Sequence, residues 1–226
     1  MRISVVVPVL NEERTVARCL AELGDFDEVV VVDGGSTDAT RERVRAFPSV
    51  SWLAAPRGRA RQMNAGARAA QGEVLLFLHA DVQLPEGACT RIREALADAS
   101  TVAGAFKTWT VPEGVQRAWL APLLHLADLR SRYSRLPYGD QAVFVRREDF
   151  EAVGGFPEQP LMEDLELALR LARRGRIAIV DARVTVSGRR FQARPLFYFT
   201  VVNVFPLLYW LGVSPSRLAR LYSNVR

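Results

Sequence analysis

Lysine is almost missing from this sequence. Of the 30 basic side chains in 226 residues, Lys107 is the only lysine and the rest are arginine. The net charge of +5 and a pI near 9.7 point to anionic partners, nucleotide phosphates or anionic lipid, and equally fit a genomic codon bias. The arginines are scattered and not interleaved with aromatics in one block, which argues against nucleic acid. Cysteine is as scarce: Cys19 and Cys89 stand far apart, without metal or redox spacing. A disulfide scaffold is excluded, and free thiols in a reducing cytoplasm are expected. No internal repeat is found, and no signal peptide is read, because Met1-Arg2-Ile3-Ser4 enters a strand pattern at once. The hydrophobic fraction of 49% suffices for a large core, and the length suits one domain or one domain with an appendage.

What is present is a series of short apolar runs that end in polar loops. The most informative is Val74 to Leu78, after Gly72-Glu73, with the composition of a strand buried on both faces of a parallel sheet. It stops at His79-Ala80-Asp81. Alternation places His79 and Asp81 on one side and Ala80 on the other. Ligands of an open parallel sheet bind beyond the carboxyl ends of its strands, so a His and an Asp are delivered where a ligand should sit. A carboxylate there suits a hard divalent cation carrying a diphosphate, or else Asp81 merely caps the turn into a helix after Pro85.

Upstream, Ile3 to Val9 reads as a buried strand, followed by a helix opened by Asn11-Glu12-Glu13 and closed by Gly24, with Val16, Cys19, Leu20 and Leu23 at helical spacing. Val29 to Val32 is a second strand, ending in the small polar loop Asp33-Gly34-Gly35-Ser36-Thr37-Asp38 before a helix from Ala39 to Phe47. Backbone in such a loop can approach a ligand closely, and the helix start favours anions. Val50 to Leu53 is a short third strand, and Arg57 to Gly66 leads into a helix ending near Gly72. Strands alternating with helices predict an α/β fold with a doubly wound sheet.

Taken jointly, Val-Val-Val-Pro-Val-Leu-Asn-Glu-Glu, Val-Val-Asp-Gly-Gly-Ser-Thr-Asp, Asn-Ala-Gly-Ala-Arg-Ala-Ala-Gln-Gly-Glu and Phe-Leu-His-Ala-Asp resemble an inverting family 2 glycosyltransferase of GT-A fold. The match runs over residues 3 to 85 and resumes at 139 to 191, and it is most similar to the small bacterial radical-SAM/selenodomain-associated transferases. The resemblance implies a Rossmann-like mixed sheet, a nucleotide diphosphate sugar donor (UDP first) and Mg or Mn at the diphosphate. By that resemblance Pro8, Asn11 and Glu12 belong to the nucleoside loop, Asp33 is the first of a pair of aspartates, and Asp81 is the last carboxylate of an Asp-x-Asp metal motif. Gly34 stands where the second aspartate of the pair would be, and His79 where the metal motif would begin. A neutral His79 can bond a ribose hydroxyl or ligate a metal, but it removes one negative charge. Arg59 and Arg61 fall where the family places cations facing the donor, with a solvated helix start as the plainer alternative.

Beyond Pro85 a helix covering Arg91 to Ala99, a strand over Val102 to Trp109, an apolar helix Ala118 to Arg130 containing His125, and a strand Ala142 to Val145 are expected. Tyr138-Gly139-Asp140-Gln141 is an acceptor-facing loop or an ordinary turn. Glu163-Asp164 at a helix start can be dipole complementation. It also resembles the family's Glu-Asp motif, which implies Asp164 as the catalytic base, with Glu163 orienting it or touching the acceptor. Ser187 to Phe191 stands where processive synthases carry Gln-x-x-Arg-Trp, but Gln and Trp are absent, so single addition is read. From Pro195 to Ser216 no residue is charged, and arginines lie on both sides. Three readings of this tail stand: an interfacial membrane segment, a helix pair packed on the core or forming a homodimer, and a span interrupted by Asn203 and Pro206.

The domains are therefore read as 1–194, with a nucleotide-binding half 1–85 and an acceptor half 86–194, plus a tail 195–226. The partners are the donor, a hydroxyl acceptor that the tail hints is lipid or isoprenoid, and a membrane surface, in the cytoplasm or peripheral at the inner face of the cell membrane. A nucleotidyltransferase is the competing enzyme class, but it would want a Gly-rich, Lys-bearing loop where Pro-Val-Leu-Asn-Glu stands. A catalytically inactive nucleotide-sugar-binding module is kept open by Gly34 and His79.

Overall fold

The computed structural model describes residues 1–112, 128, 136–188 and 195–223. Among them runs an eight-stranded mixed sheet. Its first four strands in sequence are β1 (Ile3–Val9), β2 (Glu28–Asp33), β3 (Val50–Ala54) and β4 (Val74–Phe77), and the next four are β5 (Val82–Gln83), β6 (Thr101–Val111), β7 (Val143–Arg146) and β8 (Arg176–Ser187). The spatial order is β3-β2-β1-β4-β7-β6-β8-β5. β1 to β4 are mutually parallel, β7 is antiparallel to β4 and β6, and β8 is parallel to β6. The parallel strands read as near-continuous Val/Leu runs because both sheet faces are covered. This is a GT-A-like fold, as expected.

Helices α1 (Val16–Ala21), α2 (Thr40–Arg45) and α4 (Ala88–Ala95) cover one face, where Val16, Leu20, Val44 and Ile92 pack on Val5, Val7 and Leu76. Helices α3 (Arg59–Ala69), α5 (Arg147–Ala152) and α6 (Glu163–Ala172) cover the other, where Met63, Phe150 and Leu167 pack on Val6, Leu75 and Phe77. The change of face comes between β3 and β4, so β1 and β4 flank the topological switch point, where such sheets bind ligands. Gly66 makes that packing close: a Cβ there would lie 2.3 Å from Val6 Cγ1. The far end of α3 is held by Arg147, whose guanidinium donates to the carbonyls of Gly72, Ala67 and Ala70 at 2.7, 2.9 and 2.8 Å.

Several boundaries differ from the sequence reading. The chain after Asn11 forms turns onto the Glu12 carbonyl, and regular helix begins only at Val16, because Asn11 takes a left-handed φ of 56°. α4 starts and ends earlier than expected, with Gly87 in the left-handed region just before it. The tail forms α7 (Pro195–Trp210) and α8 (Pro215–Ser223), and α7 runs on through Pro206. No helix among the described residues is long and apolar enough to cross a membrane. The expected helix at Ala118 to Arg130 with His125 lies outside the described residues, apart from Asp128. So do Arg189 to Phe191 of the Ser187 to Phe191 segment.

Candidate active site

The first part of the site is the junction of the β1 and β2 loops. Asp33 closes β2 and is buried; its carboxylate accepts from the Ser36 amide at 3.0 Å and the Ser36 hydroxyl at 2.6 Å. The Ser36 hydroxyl oxygen in turn accepts from the Asn11 amide at 2.9 Å, and Asn11 Oδ1 accepts from the Thr37 amide at 2.8 Å. The Glu12 amide donates to Thr40 Oγ1 at 2.8 Å, and Glu13 Oε2 accepts from the Ala39 amide at 3.1 Å. The two motifs therefore lock each other's backbones through Ser, Thr, Asn and Asp side chains. Pro8 is half-buried in β1, one position before Val9, whose carbonyl accepts from the Gly34 amide at 3.0 Å.

Gln62, which the sequence reading passed over, completes this junction. It is buried, and its Nε2 donates to the Val9 carbonyl at 2.8 Å and the Val32 carbonyl at 2.9 Å. A Cβ on Gly34 would stand 2.9 Å from Gln62 Oε1. The place where the resemblance leads one to expect an aspartate is taken by this amide. The available signal was the pairing itself: a side chain missing at 34 and a long polar one inside α3.

The second part is the end of β4. The ladder stops at Phe77, and the Val82 amide donates to the His79 carbonyl at 3.0 Å, so His79 to Val82 form a turn. Ala80 is buried and His79 and Asp81 are half-buried, as alternation anticipated. Burial pushes the Cys19 thiol up to about 12, with the carboxylates of Glu22, Asp81 and Glu12 adding to the effect. Cys19, buried and reduced, is inert.

The third part faces His79. β7 is antiparallel to β4, with Val143 opposite Phe77, so the short turn Gly139–Gln141 just before β7 lies beside His79. Gln141 fastens that turn: its Nε2 donates to the Phe106 carbonyl and its Oε1 accepts from the Tyr138 amide, both at 2.9 Å. Asp164, in the first turn of α6, accepts from the Gly139 amide at 2.7 Å and from the Leu165 amide at 2.8 Å, so both carboxylate oxygens are oriented. A Cβ on Gly139 would lie 2.9 Å from His79 Nε2 and 3.2 Å from Asp164 Oδ2. Only glycine leaves that gap open.

Glu163 is buried and pairs with Arg59 at the start of α3, while its other oxygen, Oε2, has no hydrogen-bond partner. Burial works against the Arg59 charge, but Glu163 and Asp164 outweigh it and raise the Arg59 pKa. Arg61 instead pairs with Glu158 at 3.0 Å on the surface. Arg59, His79, Gly139, Glu163 and Asp164 line one pocket whose deeper wall is apolar, with Met63, Phe77, Phe156 and Leu167. Asn64 fixes the neighbouring Gly154 to Pro157 loop, donating to the Phe156 carbonyl at 2.8 Å and accepting from its amide at 2.9 Å.

The structure thus gathers Arg59, His79, Glu163 and Asp164 at one pocket, and Asn11, Glu12 and Asp33 at the junction of the β1 and β2 loops, with Asp81 in the turn that follows β4. Arg61 stands apart in its own ion pair. As metal donors the chain offers Asp81 and His79; no cluster of three His, Cys, Asp or Glu is found among the described residues. A two-donor site completed by substrate phosphates is what a hard cation such as Mg accepts.

Comparison with known proteins agrees with this geometry. The chain is 32% identical over 167 residues to an undecaprenyl-phosphate 4-deoxy-4-formamido-L-arabinose transferase of Pseudomonas aeruginosa, covering 67% of this chain and 49% of that protein. It is 30% identical over 218 residues to the succinoglycan biosynthesis protein ExoA of Rhizobium meliloti, covering 86% of this chain and 65% of that one. The chain spans about half the length of the first of these relatives. Among solved structures, Staphylococcus aureus TarS 1-349 in complex with UDP-GlcNAc superposes with a TM-score of 0.64 at 22% identity, over 83% of this chain and 58% of that one. The mannosyltransferase PcManGT of Pyrobaculum calidifontis, in complex with GDP-Man and Mn2+, does so with a TM-score of 0.61 at 25% identity, over 81% and 56%. The model of the family described as glycosyl transferase family 2 matches residues 4–154, two thirds of the chain, and the chain belongs to that family.

Proposed function

We propose that this chain transfers one sugar from a nucleotide diphosphate sugar to a hydroxyl acceptor with inversion, using Asp164 as general base. The observation that carries the reading is Asp164 at the α6 start, both oxygens held by backbone amides, facing His79 across the Gly139 gap. A carboxylate so fixed can take the acceptor hydroxyl proton as that oxygen attacks the anomeric carbon, on the side away from the leaving diphosphate. Arg59 holds Glu163 beside it, and the unpartnered Glu163 Oε2 is available to a hydroxyl of the acceptor.

Asn11, Glu12 and Asp33, locked together, form the floor for the nucleoside beside Pro8, with UDP the first donor to test. Asp81 and His79 suit Mg or Mn: the carboxylate is a hard donor, half-buried in the turn after β4 beside the topological switch point. Asp81 and His79 would hold the cation with the donor's diphosphate, and it would supply charge neutralisation for the leaving group. PcManGT, with GDP-Man and Mn2+, supports the same use of a cation. Arg61 is available to a phosphate only by leaving Glu158.

The P. aeruginosa relative acts on undecaprenyl phosphate by its name, which supports a lipid or isoprenoid acceptor here. That acceptor and the apolar tail together support peripheral placement on the cytoplasmic face of a membrane. Membership of the radical-SAM/selenodomain-associated branch rests on the joint sequence motifs.

Asp164→Asn tests the reading, because it keeps shape and removes the proton acceptor. Release of nucleotide diphosphate from the donor, with water as acceptor, should fall by about 10²–10⁴-fold while donor affinity by calorimetry is kept. Turnover at the wild-type rate would overturn the assignment of the base.

A further inference from the structure

The helix pair α7–α8 is apolar both toward the core and toward solvent. Toward the core, Val201, Phe205, Leu208 and Tyr209, at helical spacing on α7, join Leu218 and Tyr222 of α8 around Met162 and Leu165. Met162 and Leu165 bracket the two candidate catalytic carboxylates. Met162 is also held at a left-handed φ of 66°, a conformation that persists only where its surroundings enforce it. The Tyr209 hydroxyl donates to Glu166 Oε2 at 2.8 Å, one turn into the same helix. Tyr222 lies close enough to Arg59 to raise its pKa, behind the larger effects of Glu163 and Asp164.

Away from the core, Val204, Leu207, Trp210 and Leu211 form a second apolar stripe, again at helical spacing. Leu207, Trp210 and Leu211 are 63%, 68% and 81% exposed. A helix apolar on all sides is one that something else covers. Gly212, with φ 86°, turns the chain there, and Ser214-Pro215 starts α8, so Trp210 and Leu211 project at a corner. Arg217 and Arg220 of α8 are exposed beside it, and residues 195–226 contain no Asp or Glu. A second copy of the chain would bring these arginines against their own kind. An anionic bilayer surface meets both the aromatic corner and the cations.

We infer that α7–α8 is a two-sided coupler: its outer face docks on an anionic membrane, and its inner face, through Phe205, Leu218 and Tyr209, sets the Met162–Leu165 turn that carries Glu163 and Asp164. Docking therefore favours the catalytically set turn, and the enzyme works fastest on the surface. This rests on the glycosyltransferase reading above and adds a control to the same site. Among the described residues the pair meets the core in one small cluster, where Phe205 and Leu218 are its buried members, and through the Tyr209–Glu166 bond. Contact on its outer face can therefore shift its population.

The test uses donor hydrolysis by water, which has no membrane-borne substrate, so any response to vesicles is a response of the protein. Phosphatidylglycerol/phosphatidylcholine vesicles should float the full-length chain and raise nucleotide diphosphate release about 5-fold or more, as coupled sites do. Pure phosphatidylcholine vesicles and high salt should remove both effects. Trp210→Glu with Leu211→Glu should stop flotation and bring the ratio of rates with and without vesicles to about one. Leu218→Ala should still float but lose the stimulation, and Tyr209→Phe, which removes only a hydroxyl, should lose part of it with donor affinity unchanged. A wild-type protein that does not float, or that floats without any change in rate, overturns the inference, as does full stimulation in Leu218→Ala. If no donor is turned over at all, it is the transferase reading that fails, and flotation still decides whether the outer face docks on lipid.

Discussion

The proposed donor half and the proposed acceptor half of this chain build their candidate sites in different ways. In the first, Asn11, Glu12, Asp33, Ser36, Thr37 and Thr40 bond to one another across two neighbouring strand ends, mostly side chain to backbone. In the second, each group is positioned by something distant in the sequence. Gly139 holds Asp164, Arg59 of α3 holds Glu163, and Phe205 and Leu218 of the tail cluster with Met162 and Leu165 on either side of the pair. A nucleotide floor made of short polar loops is rigid by itself. A candidate catalytic carboxylate set by remote contacts is one whose placement other parts of the molecule can change.

Variants that strike one half and spare the other sharpen that contrast. Asp164→Asn, with its expected loss of about 10²–10⁴-fold in turnover at unchanged donor affinity, has the largest effect. Next comes Asp81→Asn, which removes the carboxylate best placed for a cation and leaves the Gly139–Asp164 bonds untouched. Calorimetric titration of UDP and GDP with and without Mn should show metal-dependent affinity reduced by at least the roughly 10–100-fold that disturbing a metal site's support costs. Unchanged metal-sensitive binding would take Asp81 out of the metal site. A smaller effect is expected from Gln62→Ala, which leaves the Val9 and Val32 carbonyls buried without their partner. Urea unfolding should show a loss of about 1–3 kcal/mol, the penalty for unsatisfied buried polar groups. A change of no more than a few tenths would mean that the loop junction holds without Gln62, and the donor half would be less self-contained than described.

The same contrast explains what was legible in the sequence. The parallel strands were, because burial on both faces leaves an unbroken apolar run, as at Val74 to Leu78. The strand-end residues Asp33, His79 and Asp81 were too, because polar groups that interrupt such a run stand out. Asp164 and Glu163 were found through a motif, but their anchors were not. Nothing local to Gly139 says that its amide reaches a carboxylate 25 positions on, and nothing local to Arg59 names Glu163 as its partner. Arg59 and Arg61 looked alike as cations at a helix start, yet two positions along α3 turn one into the pocket and the other toward Glu158. The strand β8, twelve residues long and largely half-buried, lacked the clean alternation that would have announced it. The tail's composition pointed to a surface or a packed helix pair, and the structure gives α7 an inward face that packs and an outward face that does not.

The central claim is that Asp164 and the leaving diphosphate lie on opposite faces of the reacting sugar, so that attack is in line. Proton NMR of donor hydrolysis by the wild-type protein with Mn, recorded before the freed sugar mutarotates, reads this directly. An α-linked donor such as UDP-glucose or UDP-GlcNAc, whichever is turned over, should first release the β-anomer. First release of the α-anomer would contradict the account.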